Sequence, residues 1–323
     1  MITYKHAKFI ARAIESVLMQ ETNFPVELVI GEDKSPDDTR KIAEEYRQRY
    51  PDRIRLLARE RNLGIINNFV ETYLACRGTY VAILEGDDYW TDAKKLEAQV
   101  NALEAHPEWV MCFHKVRVFR DDGSQPAYLS PEDWREESTL DDLLRRNFIQ
   151  TCSLMVRNGV VRKFPDWYFS LSMADWPFSV MLAQHGEVGY IDQVMADHRL
   201  HREGAWTGKD YECQSAGILE MLSHIRKILD PDRARHLSGQ IVRRYIYLAE
   251  WQVRNGSPWK ARSTLQALMR RESFVQRGFP YRWALNVVLQ IEAPKVLRVI
   301  SRIRRMAGLK DRSGRHQTST TVE

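Results

Sequence analysis

Residues 79–90 read TYVAILEGDDYW. The apolar run Thr79 to Leu84 has the length and composition of a buried strand, and it stops abruptly at Glu85, Gly86, Asp87 and Asp88. Carboxylates projecting from one strand-end turn can share a hard cation such as Mg2+ or Mn2+, which prefers oxygen ligands and keeps positions free for diphosphate oxygens. A solvated acidic turn accounts for the same residues, so the flanking sequence has to decide.

Upstream, Phe9 to Glu21 carries apolar residues at helical spacing, Val26 to Ile30 is a short strand, Thr39 to Tyr50 a helix, Arg53 to Leu57 a strand and Ile66 to Arg77 a helix. Ser35 is the expected N-cap of the second of these helices, with Pro36 in its first turn. Downstream come a helix from about Lys94 to Ala105, a strand from Val110 to Phe119, a helix from Leu140 to Arg146 and an apolar segment from Cys152 to Val156. This rhythm predicts an α/β fold in which a mostly parallel sheet is flanked by helices. Ligands of such sheets bind beyond the carboxyl ends of the strands, where both Glu85–Asp88 and a second acidic pair, Glu32 and Asp33, fall. A carboxylate at the second position can accept the imide N–H of a uracil ring, or simply serve the helix start that follows it.

The 323 residues are 44% hydrophobic and 28% charged, which excludes a disordered chain and supplies a full core. Charge is divided unevenly. Up to His198 there are 24 Lys and Arg against 32 Asp and Glu, a net of −8, and after it 24 against 11, a net of +13. An acidic front part fits a carboxylate-rich site, and the basic remainder fits contact with an anionic surface. Cys76, Cys112, Cys152 and Cys213 are far apart with no CxxC pair, so they read as buried thiols in a reducing compartment. No stretch approaches a membrane span and no signal peptide follows Met1, so a cytoplasmic location is expected.

Past Tyr211 strand signals stop and helical patterns run to about Lys310, followed by a polar tail, residues 311–323, that reads as disordered. Domains are accordingly expected at 1–210, 211–310 and the tail. Tyr245, Leu248, Ala249 and Val253, then Gly256, then Ala261, Leu265 and Leu268 read as one helical hairpin of tetratricopeptide type, too few copies for a solenoid. Between Pro294 and Gly308, Val296, Val299, Ile300, Ile303 and Met306 share one helical face, with Arg298, Arg302 and Arg305 largely off it. Such a helix either docks on the enzyme or lies in an anionic membrane interface.

The runs ITYKHAKFIARAIESVLMQ, LVIGEDKSPDDT, RNLGIINNF and YVAILEGDDYWTDAKKLEAQV together resemble the family 2 glycosyltransferases, in consistent order from Met1 to about Gly208. The resemblance implies a GT-A fold, a nucleotide-diphosphate sugar donor, a divalent metal (Mg2+ or Mn2+) and inversion at the anomeric carbon. Residue by residue, it implies that Thr3 and Tyr4 hold the nucleobase, that Asp33 contacts uracil with Glu32 beside it, that Asp87 lies near the ribose and the diphosphate–metal unit, and that Asp88 ligates the metal with Asp87 in the same metal set. Glu85 stands where many members have Asp, and joins the metal set on that basis. Asp175, in SLSMADWPFSVMLAQHG, matches the catalytic base; its alternative is a helix N-cap. The segment YIDQVMADHRLHREGAWTG resembles a His-containing loop of one branch that closes over the diphosphate, which implies phosphate contacts from His201 and Arg202 and an apolar cover from Trp206.

The expected donor is a UDP-sugar and the expected acceptor a hydroxyl of a glycan or lipid-linked glycan in polysaccharide or cell-surface synthesis; nucleic acid is not an expected partner. Two rivals compete. A nucleotidyltransferase-like enzyme wants a glycine-rich phosphate loop, whereas Lys5 to Phe9 has no glycine; an inactive scaffold wants a broken acid set, whereas Asp33, Asp87, Asp88 and Asp175 are all present. Members of the family usually have four to six β-branched residues before the ITY segment, so Met1 is expected at the middle of the central strand, and either an upstream start or a lower stability than that of its relatives is expected.

Overall fold

The computed structural model describes residues 1–271 and residue 287. The chain divides into two compact units, Met1–Lys209 and a second that opens at Asp210. The amphipathic segment 294–308 and the tail 311–323 lie outside the described residues.

The first unit runs β1 (Ile2–Thr3), α1 (Ile10–Leu18), β2 (Leu28–Glu32), α2 (Thr39–Arg49), β3 (Ile54–Ala58), α3 (Ile65–Ala75), β4 (Tyr80–Ala82), β5 (Tyr89–Trp90) and α4 (Lys95–Ala105). It continues with β6 (Trp109–Arg120), β7 (Tyr128–Ser130), β8 (Glu137–Ser138), α5 (Leu140–Arg145), β9 (Met155–Arg157), α6 (Asp175–Ala183) and β10 (Glu187–Leu200). Strands β1, β2 and β3 pair in parallel, and a second sheet has the order β4-β9-β6-β10-β5. The bridge Ile2↔Glu85, with Gly86 N–H donating to the Ile2 carbonyl at 3.0 Å, joins the two sheets. The sheet is therefore more mixed than the β-α-β rhythm predicts: β6 and β10 are parallel, whereas β9 runs antiparallel to both its neighbours.

Periodicity explains the core. Ile10, Ala13, Ile14 and Val17 repeat at helical spacing on α1 and are all buried, and Ile10, Ile14 and Val17 form one cluster with Leu28 and Ile30 of β2 and Leu84 at the acid turn. Met1 sits at the edge of that cluster, and its ammonium donates to the Val29 carbonyl at 2.7 Å. Strand β10 escapes a sequence reading because its pattern breaks at Asp192-Gln193-Val194, an exposed bulge where the register against β6 shifts between Ile191 and Ala196. The N-cap expectation at Ser35 is corrected: α2 starts four residues later, and Ser35 Oγ instead accepts from Lys5 N–H at 3.1 Å. The thiols are also less uniform than expected, since Cys112 and Cys152 are buried but Cys76 is half-buried and Cys213 exposed.

The second unit is helical, with α7 (Tyr211–Ile225), α8 (Pro231–Arg254) and α9 (Pro258–Arg271). Asp230 caps α8 by accepting from Asp232 and Arg233 N–H, with Pro231 at N1. Helices α8 and α9 meet through a turn at Gly256 (φ 74°), and Tyr245, Leu248, Ala249, Ala261, Leu265 and Leu268 are all buried. No described helix is long and apolar enough to cross a membrane.

Candidate active site

Strand β1 is the organiser. It lies between β2 and the acid turn, which brings Glu32–Asp33 and Glu85–Asp88 to either side of Thr3 and Tyr4. The chain leaving β1 is stitched to the turn after β2: Ser35 Oγ, Thr39 Oγ1 and Asp37 Oδ2 accept the backbone N–H groups of Lys5, His6 and Ala7 at 3.1, 2.8 and 3.1 Å. Lys5 (φ 60°) and Lys34 (φ 61°) both hold left-handed backbones here, a strain of about 1–3 kcal/mol each that those bonds must hold in place. Tyr4 is exposed and Thr3 buried, with Thr3 Oγ1 enclosed and unpartnered.

Beneath this loop Gly86 is required by contact. A Cβ there would meet Thr3 Oγ1 at 2.5 Å and His6 Nδ1 at 2.8 Å. The backbone of the acid turn can thus pass directly under Thr3 and His6, so that Asp87 emerges between two imidazoles. Asp87 Oδ2 is 2.9 Å from His201 Nε2 and 3.7 Å from His6 Nε2. Burial pushes the Asp87 carboxyl up, but the two histidines outweigh it and hold it below the usual range. The bond to Asp87 raises His201, whereas burial lowers His6. His6 Nδ1 has no hydrogen-bond partner.

Asp88 points elsewhere. It is 2% exposed, and its Oδ1 accepts the Arg199 N–H at 2.7 Å. Burial pushes its carboxyl up to about 6. Glu85 is raised further, by burial and then by the charges of Asp87, Asp88 and Asp175. Strand β10 brings Arg199 to the centre: its guanidinium donates from Nε to the Asp87 carbonyl at 3.0 Å and lies 4.6 Å from the Phe9 ring centroid and 5.0 Å from that of Phe119.

Asp175 opens α6 at N1 and makes no side-chain cap; instead it accepts from Asn147 Nδ2 at 3.0 Å. Burial raises its carboxyl. The position is anchored, because Tyr168 Oη donates to the Ala174 carbonyl at 2.7 Å, Trp176 Nε1 to the Leu143 carbonyl at 2.8 Å, and Phe178 packs edge-on against Phe69 and Tyr73. A half-buried carboxylate at a helix N-terminus, on the Glu85 side of the acid cluster, is suited to take a proton from a hydroxyl.

Not every expected residue joins this group. Glu32 is fully buried, with Oε1 accepting from Ser35 N–H and Oε2 from Arg40 Nε, both at 2.6 Å, so it serves the turn rather than a ligand. Asp33 spends one oxygen on Leu63 N–H (2.7 Å) and the other on Gly64 N–H (2.9 Å), and with them fixes the 62–64 turn beside β1. Arg202 is exposed and close to Asp122, not to the acids. Conversely His6, His198 and Arg199 were not singled out from the sequence. The basic cluster His198-Arg199 at the end of β10, just before His201, was the available signal, and the broken strand pattern hid it.

The sequence model described as glycosyl transferase family 2 matches residues 1–164. The uncharacterised Mycobacterium tuberculosis protein Rv1520 is 40% identical over 240 residues, 72% of this chain and 69% of that protein. The chain belongs to glycosyl transferase family 2. Among solved structures, this glycosyltransferase is similar to Staphylococcus aureus TarS 1–349 in complex with UDP-GlcNAc (TM-score 0.59, 18% identity, 76% of this chain and 71% of that one). It is also similar to the mannosyltransferase PcManGT of Pyrobaculum calidifontis in complex with GDP-Man and Mn2+ (TM-score 0.54, 14% identity, 96% and 86%). These likenesses establish the GT-A fold of the glycosyltransferase.

Proposed function

We propose that this glycosyltransferase moves a sugar from a nucleoside diphosphate donor to an acceptor hydroxyl with inversion, using a divalent ion held by Asp87, His201 and His6. The meeting of those three side chains carries the reading. Their ligand atoms lie within 4.8 Å of one another, and neighbouring ligands of an ion with bonds of about 2.1 Å are about 3 Å apart. His6 Nδ1, buried without a hydrogen-bond partner, fits the same role. Asp88, buried and capped by Arg199 N–H, orients β10 against the acid turn, so the metal role shifts from Asp88 to Asp87.

When bound, the ion neutralises charge on the departing nucleoside diphosphate. Asp175 takes the proton of the acceptor hydroxyl as that oxygen attacks the anomeric carbon. One displacement inverts the centre, and no protein nucleophile is needed. Two imidazoles beside one carboxylate favour Mn2+ over Mg2+, which prefers an all-oxygen shell. The neighbours, which hold UDP-GlcNAc in one case and GDP-Man with Mn2+ in the other, support a nucleotide-sugar donor. Uridine is preferred on the resemblance alone, because both Asp33 carboxylate oxygens already accept backbone N–H groups, and the acceptor is assigned to a growing glycan. The test is calorimetry of UDP and GDP with Mn2+, followed by a donor panel that records nucleoside diphosphate release with Mn2+, Mg2+ or chelator. Failure of both nucleotides to bind with metal would sink the proposal.

A further inference from the structure

Asp87 and Asp88 are consecutive, yet they face different donor sets. Asp88 meets Cys152, from the single helical turn Thr151–Ser153, and His198 of β10, with a carboxylate oxygen, the thiol sulfur and a ring nitrogen all within 4.8 Å of one another. Asp88 (2% exposed) and Cys152 (0%) are buried, and His198 is half-buried. The thiol donates to the Asp88 carboxylate, and His198 Nδ1 is enclosed with no hydrogen-bond partner. Burial, reinforced by the charges of Asp88 and Glu85, keeps Cys152 protonated until a cation displaces the proton.

We propose that Asp88, Cys152 and His198 form a second metal site, selective for Zn2+ and similar thiophilic ions, and that its occupation shuts the glycosyltransferase off. Zinc bonds of about 2.0–2.3 Å to O, N and S set tetrahedral ligands about 3.3–3.8 Å apart, so the three groups need close by only about 1 Å. Mg2+ has no use for a thiolate, so a thiophilic ion discriminates this set from an oxygen-rich one. On binding, the Cys152 S–H bond breaks, its proton leaves to solvent, and sulfur, nitrogen and carboxylate bonds to the ion replace water from its shell. The Asp88 carboxylate that accepts Arg199 N–H is then drawn toward the ion. Arg199 also holds the Asp87 carbonyl and lies two residues from His201, so the strain reaches the Asp87–His201 pair. The inhibitory consequence rests on the proposed role of that pair; the binding does not.

Co2+ is the probe, because a cobalt–thiolate bond gives a near-ultraviolet charge-transfer band that oxygen and nitrogen ligands do not. The whole chain carrying Cys213→Ser, to remove the exposed thiol, should show this band with one equivalent of Co2+ and lose it on addition of Zn2+. Adding Cys152→Ser should abolish the band, and His198→Asn should weaken Co2+ binding at least about tenfold. Absence of the band in the Cys213→Ser chain, or its survival in Cys152→Ser, overturns the site; if the serine variant does not fold, His198→Asn with unchanged affinity overturns it as well. In transfer assays with saturating Mn2+, the Zn2+ concentration for half-inhibition should rise at least tenfold in Cys152→Ser. A band that behaves as expected alongside equal Zn2+ inhibition of both proteins overturns the inhibitory role alone. Loss of Mn2+-dependent transfer with the cobalt results intact would fault the Asp87 reading instead.

Discussion

Lys95 lies in the first turn of α4 and is completely buried, its ammonium 4.1 Å from the Trp90 ring centroid and 2.5 Å from Gln99 Oε1. Burial lowers its pKa from 10.5 to about 7. Above pH 10.5 the group is neutral in both the folded and unfolded chain and folding carries no ionisation cost. As pH falls toward 7, the unfolded chain takes up the proton first and stability is lost, until the loss saturates below the folded pKa. A drop of about 3.5 in pKa at about 1.4 kcal/mol each amounts to roughly 5 kcal/mol. Lys95→Met keeps the length and removes the charge, but leaves Gln99 Oε1 without its donor, a cost of about 1–3 kcal/mol. The variant should therefore be about 2–4 kcal/mol more stable than wild type at pH 6, and less stable near pH 10.5. Urea unfolding of both proteins at intervals from pH 6 to 10.5, followed by tryptophan fluorescence and circular dichroism, gives the difference curve. A difference that stays flat across that range would refute a neutral buried lysine.

Asp87→Asn should weaken Mn2+-dependent UDP binding by at least about tenfold in calorimetry, whereas Asp175→Asn should leave it unchanged and cut turnover about 100- to 10,000-fold. Wild-type turnover in Asp175→Asn would remove the base assignment. Asn147→Ala deletes the hydrogen bond that favours ionised Asp175, so its pKa should rise further and the acid limb of the kcat–pH profile should move to higher pH, with the opposite shift counting against the pairing. Gly86→Ala forces the acid turn away from Thr3 and His6; thermal unfolding should show a loss of about 1–3 kcal/mol, and transfer should fall by up to about 100-fold.

Much of the fold was legible because its signals are local. The helical spacing of Ile10, Ala13, Ile14 and Val17, and the apolar run that stops at Glu85, each record burial within one element. Strand β10 was not legible, because a two-residue polar bulge interrupts its alternation and a neighbouring strand supplies the pairing that holds it together. The resemblance to family 2 likewise located the acids without telling which way each one turns. Glu32 illustrates the gap: a carboxylate at a strand end reads as ligand-facing, yet Arg40, eight residues later, covers it completely.

By itself the sequence determined the family, the main helices and strands up to about Val156 and the presence of acids at two strand ends, because these follow from motif order and from periods set by single helices and strands. Tertiary structure alone decided that Asp87 meets His6 and His201 while Asp88, its immediate neighbour, turns to Cys152 and His198. Successive side chains leaving a turn point in different directions, and what each one meets is supplied by segments 64 to 114 residues away in the chain, which no local pattern encodes.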